Sequence, residues 1–337
     1  MRSLELGSKP LGRTCSVTTA EQGGQSRING VAPADPMGGR RTNRIATGRP
    51  GARAMVTHKN GHRFELFCRS PTIAFPLFAA LFANGRTTVI EKSASRDHTE
   101  RLFNGFGVPV IVNGDLSITL DGPARFSGGA ITIPGDVSSA AYFIAAAMLL
   151  PGSELTIDAV GLNPTRAAFL SVFKSLGGGI TATGLRNERN EPVGTINVSG
   201  GLRSVPSDDA RILSGAMIPS LIDELPLLAV VGTQVPGGIQ IRDAEELRLK
   251  ESDRLQATAD NLRSMGAEVD EFDDGIAVSG PTQLHGAAID SYNDHRIAMA
   301  FSVAALLAEG ETEIAGAECV AISFPEFFTL LESLAKR

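Results

Sequence analysis

The 337-residue chain predicts an α/β protein of pseudo-symmetric βαβαββ repeats arranged as two domains, the first incomplete. Two observations carry that expectation. From residue 72 onward one unit recurs: an almost wholly apolar helix, a glycine, then a short β-branched strand. It reads TIAFPLFAALFANGRTTVI from Thr72, AAYFIAAAMLLPGSELTI from Ala140, DELPLLAVVGTQVPGGIQI from Asp223 and DHRIAMAFSVAALLAEGETEI from Asp294. Helices with no polar half have to be buried against a sheet or against one another. The second observation is a more polar helix after each of the first three copies, closing on glycine: RDHTERLFNGFG to Gly107, TRAAFLSVFKSLG to Gly177 and ESDRLQATADNLRSMG to Gly266. The fourth copy ends the chain with SFPEFFTLLESL. Alternating stretches such as AITIPG, TINVSG and GIAVSG read as strands bounded by turn residues. A solenoid would repeat shorter and more even units, so globular domains fit better.

The first 70 residues obey different rules. They carry twelve Lys/Arg against four Asp/Glu and ten glycines, leaving −14 for the rest of a chain whose total is −6. With almost no apolar periodicity, such a segment buries too little to offset its ordering entropy. The expected division is therefore a poorly ordered basic arm over 1–70, a remnant of a first domain over 71–134 and a nearly complete second domain over 135–337. Anion binding by the arm is the alternative to a merely solvated one.

Composition also excludes function classes. Net charge is −6, there is no Trp, and no Lys/Arg tract alternates with aromatics, so a nucleic-acid groove is not expected. Cys15, Cys68 and Cys319 stand far apart, which argues against zinc and against a disulfide framework and fits a reducing, cytoplasmic setting. No apolar run suits a leader or a membrane span. No P-loop, nucleophile elbow or GxGxxG follows a strand.

The chemistry gathers at helix starts. Lys250, Glu251 and Arg254 in LRLKESDR stand where free backbone N–H groups already attract anions. A lysine point charge beside an arginine fork suits phosphate or carboxylate, although KESDR also reads as an ordinary charged helix start. His295 and Arg296 follow Asn293-Asp294 at the start of another apolar helix, where cations oppose the helix dipole; a bound anion would remove that conflict. Arg96 and His98 repeat the theme in SRDHTE. Asp223 and Glu224 open DELPLLAVV, either as acids complementing the dipole or, for Asp223, as a carboxylate exchanging a proton with a substrate hydroxyl, with Glu251 handling a second proton.

ELRLKESDR, YNDHRIAMA, SRDHTER, IPGDVSSAAYF with VGLNPTR, and SFPEFF, taken in order over residues 72–337, resemble the 5-enolpyruvylshikimate-3-phosphate synthase family. The resemblance implies the enolpyruvyl transferase fold: two domains of three βαβαββ units each, with the site in the cleft between them. It implies transfer of the enolpyruvyl group of phosphoenolpyruvate to the 5-hydroxyl of shikimate 3-phosphate with release of phosphate, without metal or cofactor. By motif, Asp223 and Glu251 are the catalytic residues; Arg96, Lys250, Arg254, His295 and Arg296 bind the two substrates. A cytoplasmic monomer is implied, with no nucleic acid or membrane partner, and the incomplete domain is the route to any association. The chain also departs from the family. Arg69-Ser70-Pro71 stands at the family's Ser-Ala-Gln, Ile322 replaces a frequent Lys, and the upstream motifs survive only as echoes around Lys9, Arg13 and Arg40. A catalytically impaired remnant is thus the competing expectation. The related UDP-N-acetylglucosamine enolpyruvyl transferase matches these motifs less well and would need a reactive-loop cysteine.

Overall fold

A computed structural model describes residues 2–5, 14–17, 53–58, 63–67, 74–91, 94–126 and 128–335. Strands β1 (Arg2–Glu5) and β2 (Thr14–Val17) form a separate antiparallel pair. The first body is one antiparallel sheet with two helices. Its elements are β3 (Arg53–His58), β4 (Arg63–Phe67), α1 (Ala74–Ala80), β5 (Gly85–Ile90), α2 (His98–Gly105), β6 (Val110–Val112) and β7 (Ser117–Gly122), with strand order β4-β3-β5-β7-β6. Leu77, Ala80, Val89, Phe103, Ile118 and Leu120 are buried in its core.

The second body holds three helices that are buried along almost their whole length and pack on one another. The first, α3 (Val137–Leu149), is followed by β8 (Glu154–Gly161), α4 (Ala168–Ser175), β9 (Gly179–Glu188) and β10 (Glu191–Ser199), with sheet order β8-β10-β9. The next unit runs β11 (Ile212–Leu213), α5 (Ile218–Leu221), α6 (Leu225–Gly232), β12 (Ile239–Ile241), α7 (Arg254–Ser264), β13 (Val269–Phe272) and β14 (Gly275–Val278), with sheet order β11-β12-β14-β13. The last comprises β15 (Ala288–Asp290), α8 (His295–Leu307), β16 (Glu313–Ala315) and α9 (Phe327–Ala335). Helices α3, α6 and α8 meet pairwise. Their alanines and glycine let the backbones approach, while Ile144, Leu228, Val230 and Phe301 fill the centre at no more than 0% exposure. Truncating one such centre residue, Leu228 to Ala, should cost about 2–5 kcal/mol.

In two units the strand before the buried helix lies parallel to the strand after it, β11 beside β12 and β15 beside β16. The AITIPG stretch was expected to be the corresponding strand ahead of α3, and it is not one. Only Gly135 reaches the sheet, through a parallel bridge to Val160, and Ile131 and Ile133 are exposed. Alternation favours an extended chain, but a ladder needs a neighbour, and β8 comes within reach only at Gly135.

Residues 53–67 also differ from expectation. Counted with the arm for their charge, they form a hairpin whose β3 registers along all of β5. Asn60-Gly61 between two alternating runs is the sequence signal for that hairpin. Most of the expected arm, including Lys9, Arg13 and Arg40, and the Arg69-Ser70-Pro71 segment lie outside the described residues. Among the described residues no single helix is long and apolar enough to cross a membrane.

Candidate anion site at converging helix starts

Asp223 lies in the bend between α5 and α6, and three guanidinium groups close on it. Arg96 Nη2 is 2.5 Å from Asp223 Oδ2, Arg254 Nη1 is 3.6 Å from Oδ1, and Arg296 Nη2 is 3.7 Å from Oδ2. The three arginines stand at the starts of three helices: Arg96 just before α2, Arg254 first in α7, Arg296 second in α8. Burial opposes ionisation of Asp223, but Arg296, Arg96 and Arg254 outweigh it and hold the carboxyl at about 2.

The local sequence explains how these cations are held. Asp253 caps α7 by accepting from Gln256 N at 3.1 Å, and Asp294 caps α8 by accepting from Arg296 N at 2.9 Å. Asp294 does double duty, because Arg254 Nε donates to its Oδ2 at 2.7 Å and Ser252 Oγ at 3.1 Å. Both Arg254 and Asp294 are buried, at 1% and 0% exposure. Arg254 Nη2 donates to Glu251 Oε2 at 2.6 Å, whereas its Nη1 is a buried donor without a hydrogen-bond acceptor. A donor left open beside Asp223 is a place for an oxyanion.

Arg96 reaches Asp223 from the other body because a polar latch fixes the start of α2. Asn163, 2% exposed, donates through Nδ2 to Asp97 Oδ1 at 2.7 Å and to Glu191 Oε2 at 3.0 Å. His98 Nδ1 meets Glu191 Oε1 at 2.7 Å, and Arg101 donates to the Asn190 carbonyl at 2.9 Å. Arg189 and Asn190, both at positive φ, make the tight β9–β10 turn that docks on α2.

The structure thus brings Asp223, Glu251, Arg96, Arg254 and Arg296 into one cluster. It does not bring Lys250 into that ion-pair network: Nζ donates to Glu246 Oε1 at 2.6 Å. His295 is half-buried at the start of α8; burial first, then Arg296, lower its pKa, so the imidazole is neutral at pH 7. Sequence reasoning left out Tyr142 and Asn163, and read Glu224 and Asp294 only as residues that open a helix. Glu224 is 1% exposed at the N-cap of α6, 3.5 Å from Arg296 Nη1, with Oε2 unpartnered. Burial pushes its carboxyl up to about 7 against the pull of Arg296. Tyr142 is buried in α3, raised to about 12 by burial, and its hydroxyl oxygen accepts from Arg296. For Tyr142 the available signal was a polar hydroxyl inside a largely apolar helix, which must find a buried partner; Asn163 lies in a loop and Glu224 and Asp294 at helix N-caps, where that signal is absent.

The arrangement defines a class, an α/β protein that presents a carboxylate-lined cationic site at converging helix starts. A family model described as EPSP synthase (3-phosphoshikimate 1-carboxyvinyltransferase) matches residues 61–331. The 3-phosphoshikimate 1-carboxyvinyltransferase of Koribacter versatilis is 49% identical over 77% of this chain and 60% of that protein. The protein of the same description from Anaeromyxobacter sp. is 48% identical over 77% and 59%. A solved EPSP synthase from Acinetobacter baumannii matches with a TM-score of 0.68 at 35% identity, covering 77% of this chain and 58% of that one. The enolpyruvyl transferase NikO from Streptomyces tendae shares the fold, with a TM-score of 0.58 at 20% identity over 77% and 57%. The chain belongs to the EPSP synthase family. It spans about 60% of the length of the curated relatives it matches.

Proposed function

We propose that this chain transfers the enolpyruvyl group of phosphoenolpyruvate to the 5-hydroxyl of shikimate 3-phosphate, releasing phosphate, as a cytoplasmic monomer. The observation that carries this reading is the convergence of Arg96, Arg254 and Arg296 on Asp223. Both substrates are polyanions, and guanidiniums fixed by caps and carboxylates position them without reorganising. Arg254 and Arg296 hold phosphoenolpyruvate, with His295 beside them; Arg96 and Lys250 hold shikimate 3-phosphate, Lys250 exchanging Glu246 for the ligand. The hydroxyl oxygen adds to C2 of phosphoenolpyruvate while C3 gains a proton from Glu251, giving a tetrahedral intermediate. Asp223 accepts the hydroxyl proton. Loss of a C3 proton back to Glu251 and cleavage of the bond from C2 to the phosphate oxygen then restore the C2–C3 double bond, releasing phosphate and leaving the enol ether. A carboxyl held at about 2 is a weak base in the empty site, so it acts as acceptor once the ligand has drawn its arginines away.

Phosphate release by the full chain, with each substrate omitted in turn, tests this. Release that requires both substrates supports transfer. No release, with shikimate 3-phosphate still bound, supports the second reading, an impaired member that binds phosphorylated ligands. That reading is favoured by Pro71 at the family's Gln position. Any association would run through the exposed Phe75, Phe78 and Phe82 of α1 and the turn that follows it.

A further inference from the structure

We propose that Glu224 is the proton store of the anion site: a carboxylate paired with Arg296 while the site is empty, protonated when a phosphate-bearing ligand claims that guanidinium. The inference rests on the anion-site reading above and adds a group that reading does not use.

Charge arithmetic motivates it. Three arginines, Arg96, Arg254 and Arg296, stand against three carboxylates besides Glu224: Arg254 takes Glu251 and Asp294, and Arg96 and Arg296 share Asp223, while Lys250 pairs with Glu246. The empty site is therefore balanced before Glu224 is counted. A dianion entering a buried site adds charge that has to be compensated, and a proton is the smallest compensation. Glu224 is placed to take it. Its Oε1 lies 3.5 Å from Arg296 Nη1, and its buried Oε2 has no partner, so a proton there displaces no existing bond. The groups facing it are Arg296 from α8, Ser138 and Tyr142 from α3, Arg96 from the segment before α2, and neighbouring Asp223. Arg296 and Arg96 favour its charge; burial and Asp223 oppose it, which leaves the carboxyl near the midpoint of its titration at neutral pH. When a ligand oxygen engages Arg296, the main support for the charge is withdrawn and the carboxyl binds a proton from solvent. Departure of the anion returns Arg296 to Glu224 and releases that proton.

Sulfate is the probe, because it stays a dianion from pH 6 to 8. Titration calorimetry of the full chain in two buffers of different ionisation heat counts protons bound per sulfate. The expected result is uptake of roughly half a proton at pH 7 to 7.5 and affinity falling up to about tenfold per unit as pH rises above 7. Glu224→Gln, nearly isosteric, should bind sulfate with uptake near zero and no pH slope, whereas Glu100→Gln, which removes the other buried carboxyl raised to about 7, should retain both. Sulfate binding to the unmodified chain without proton uptake overturns the proposal with no variant needed, as does uptake that persists in Glu224→Gln or vanishes in Glu100→Gln. Absence of sulfate binding overturns the anion-site reading and this proposal together. Proton-linked sulfate binding without enolpyruvyl transfer overturns only the transfer reading.

Discussion

Replacing Asp294 by Asn removes one charge from the buried pair with Arg254 while keeping a side-chain oxygen to cap α8. Two unit charges about 4 Å apart attract by about 4 kcal/mol at an effective dielectric of 20, and breaking a buried pair typically costs about 3–5 kcal/mol. Arg254 retains two other carboxylates, which lowers that figure. Glu251 is half in solvent and screened, and Asp223 is 3.6 Å away and shared with Arg96 and Arg296. The Asn oxygen can fill only one of the two places: capping α8 from the Oδ1 position leaves Nδ2 facing Arg254 Nε, donor to donor, which offsets part of that relief. The expected loss is therefore about 2–3 kcal/mol, which for a body of this size is a fall in Tm of roughly 5–10 °C. Urea unfolding of the native chain, Asp294→Asn, Arg254→Met and the double variant gives the pair's coupling. A coupling of about 1–2 kcal/mol is expected. Coupling within about 0.5 kcal/mol of zero would show that the pair contributes nothing beyond its shape, and the account of the site's rigidity would fail.

Glu100 is buried at 5% exposure with Oε2 unpartnered, and burial, helped by Asp97 and Glu91, pushes its carboxyl up to about 7. The folded state then holds a proton that the unfolded state loses above about pH 4.5, so stability falls as pH rises from there through 7, by an amount on the order of 3 kcal/mol. Urea midpoints from pH 5 to 8 should show that decline, and Glu100→Gln should flatten it; an unchanged slope counts against the assignment. Asp223 acts in the opposite sense, its contribution present above pH 4 and lost as pH falls toward 2. Asn163→Ala should free the start of α2, raising hydrogen exchange over residues 94–107 and weakening shikimate 3-phosphate binding through Arg96; unchanged exchange would remove the latch from the account. Gly238→Ala should cost more than about 2 kcal/mol by urea unfolding, since φ is +67° and a Cβ would collide with the Val278 carbonyl; a neutral outcome would mean that the turn relaxes freely.

Local signals carried most of the second body. The apolar runs from Ala140, Leu225 and His295 predicted buried helices, and α3, α6 and α8 are buried because none of them has a polar half to turn to water. Asn293-Asp294 announced a helix start by composition alone, and His295 and Arg296 beside them marked the site through a conflict with the dipole. The short range of those signals is also their limit. AITIPG alternates like a strand but has no neighbour to pair with, and residues 53–67 read as arm because charge outweighed the Asn60-Gly61 hairpin signal. Which cations act together was a question of distance through space. Arg96 and Asp223 are 127 residues apart and meet where Asn163, Glu191 and the Arg189-Asn190 turn hold α2 against the second body, while Lys250, adjacent to Glu251 in sequence, turns to Glu246. The sequence by itself determined the fold class and the helix starts, because propensity, capping and burial act over a few residues. Tertiary structure alone decided that Arg254 and Asp294 are wholly buried and that Glu224 faces Arg296, because desolvation and Coulomb energy depend on what surrounds a group rather than on what precedes it.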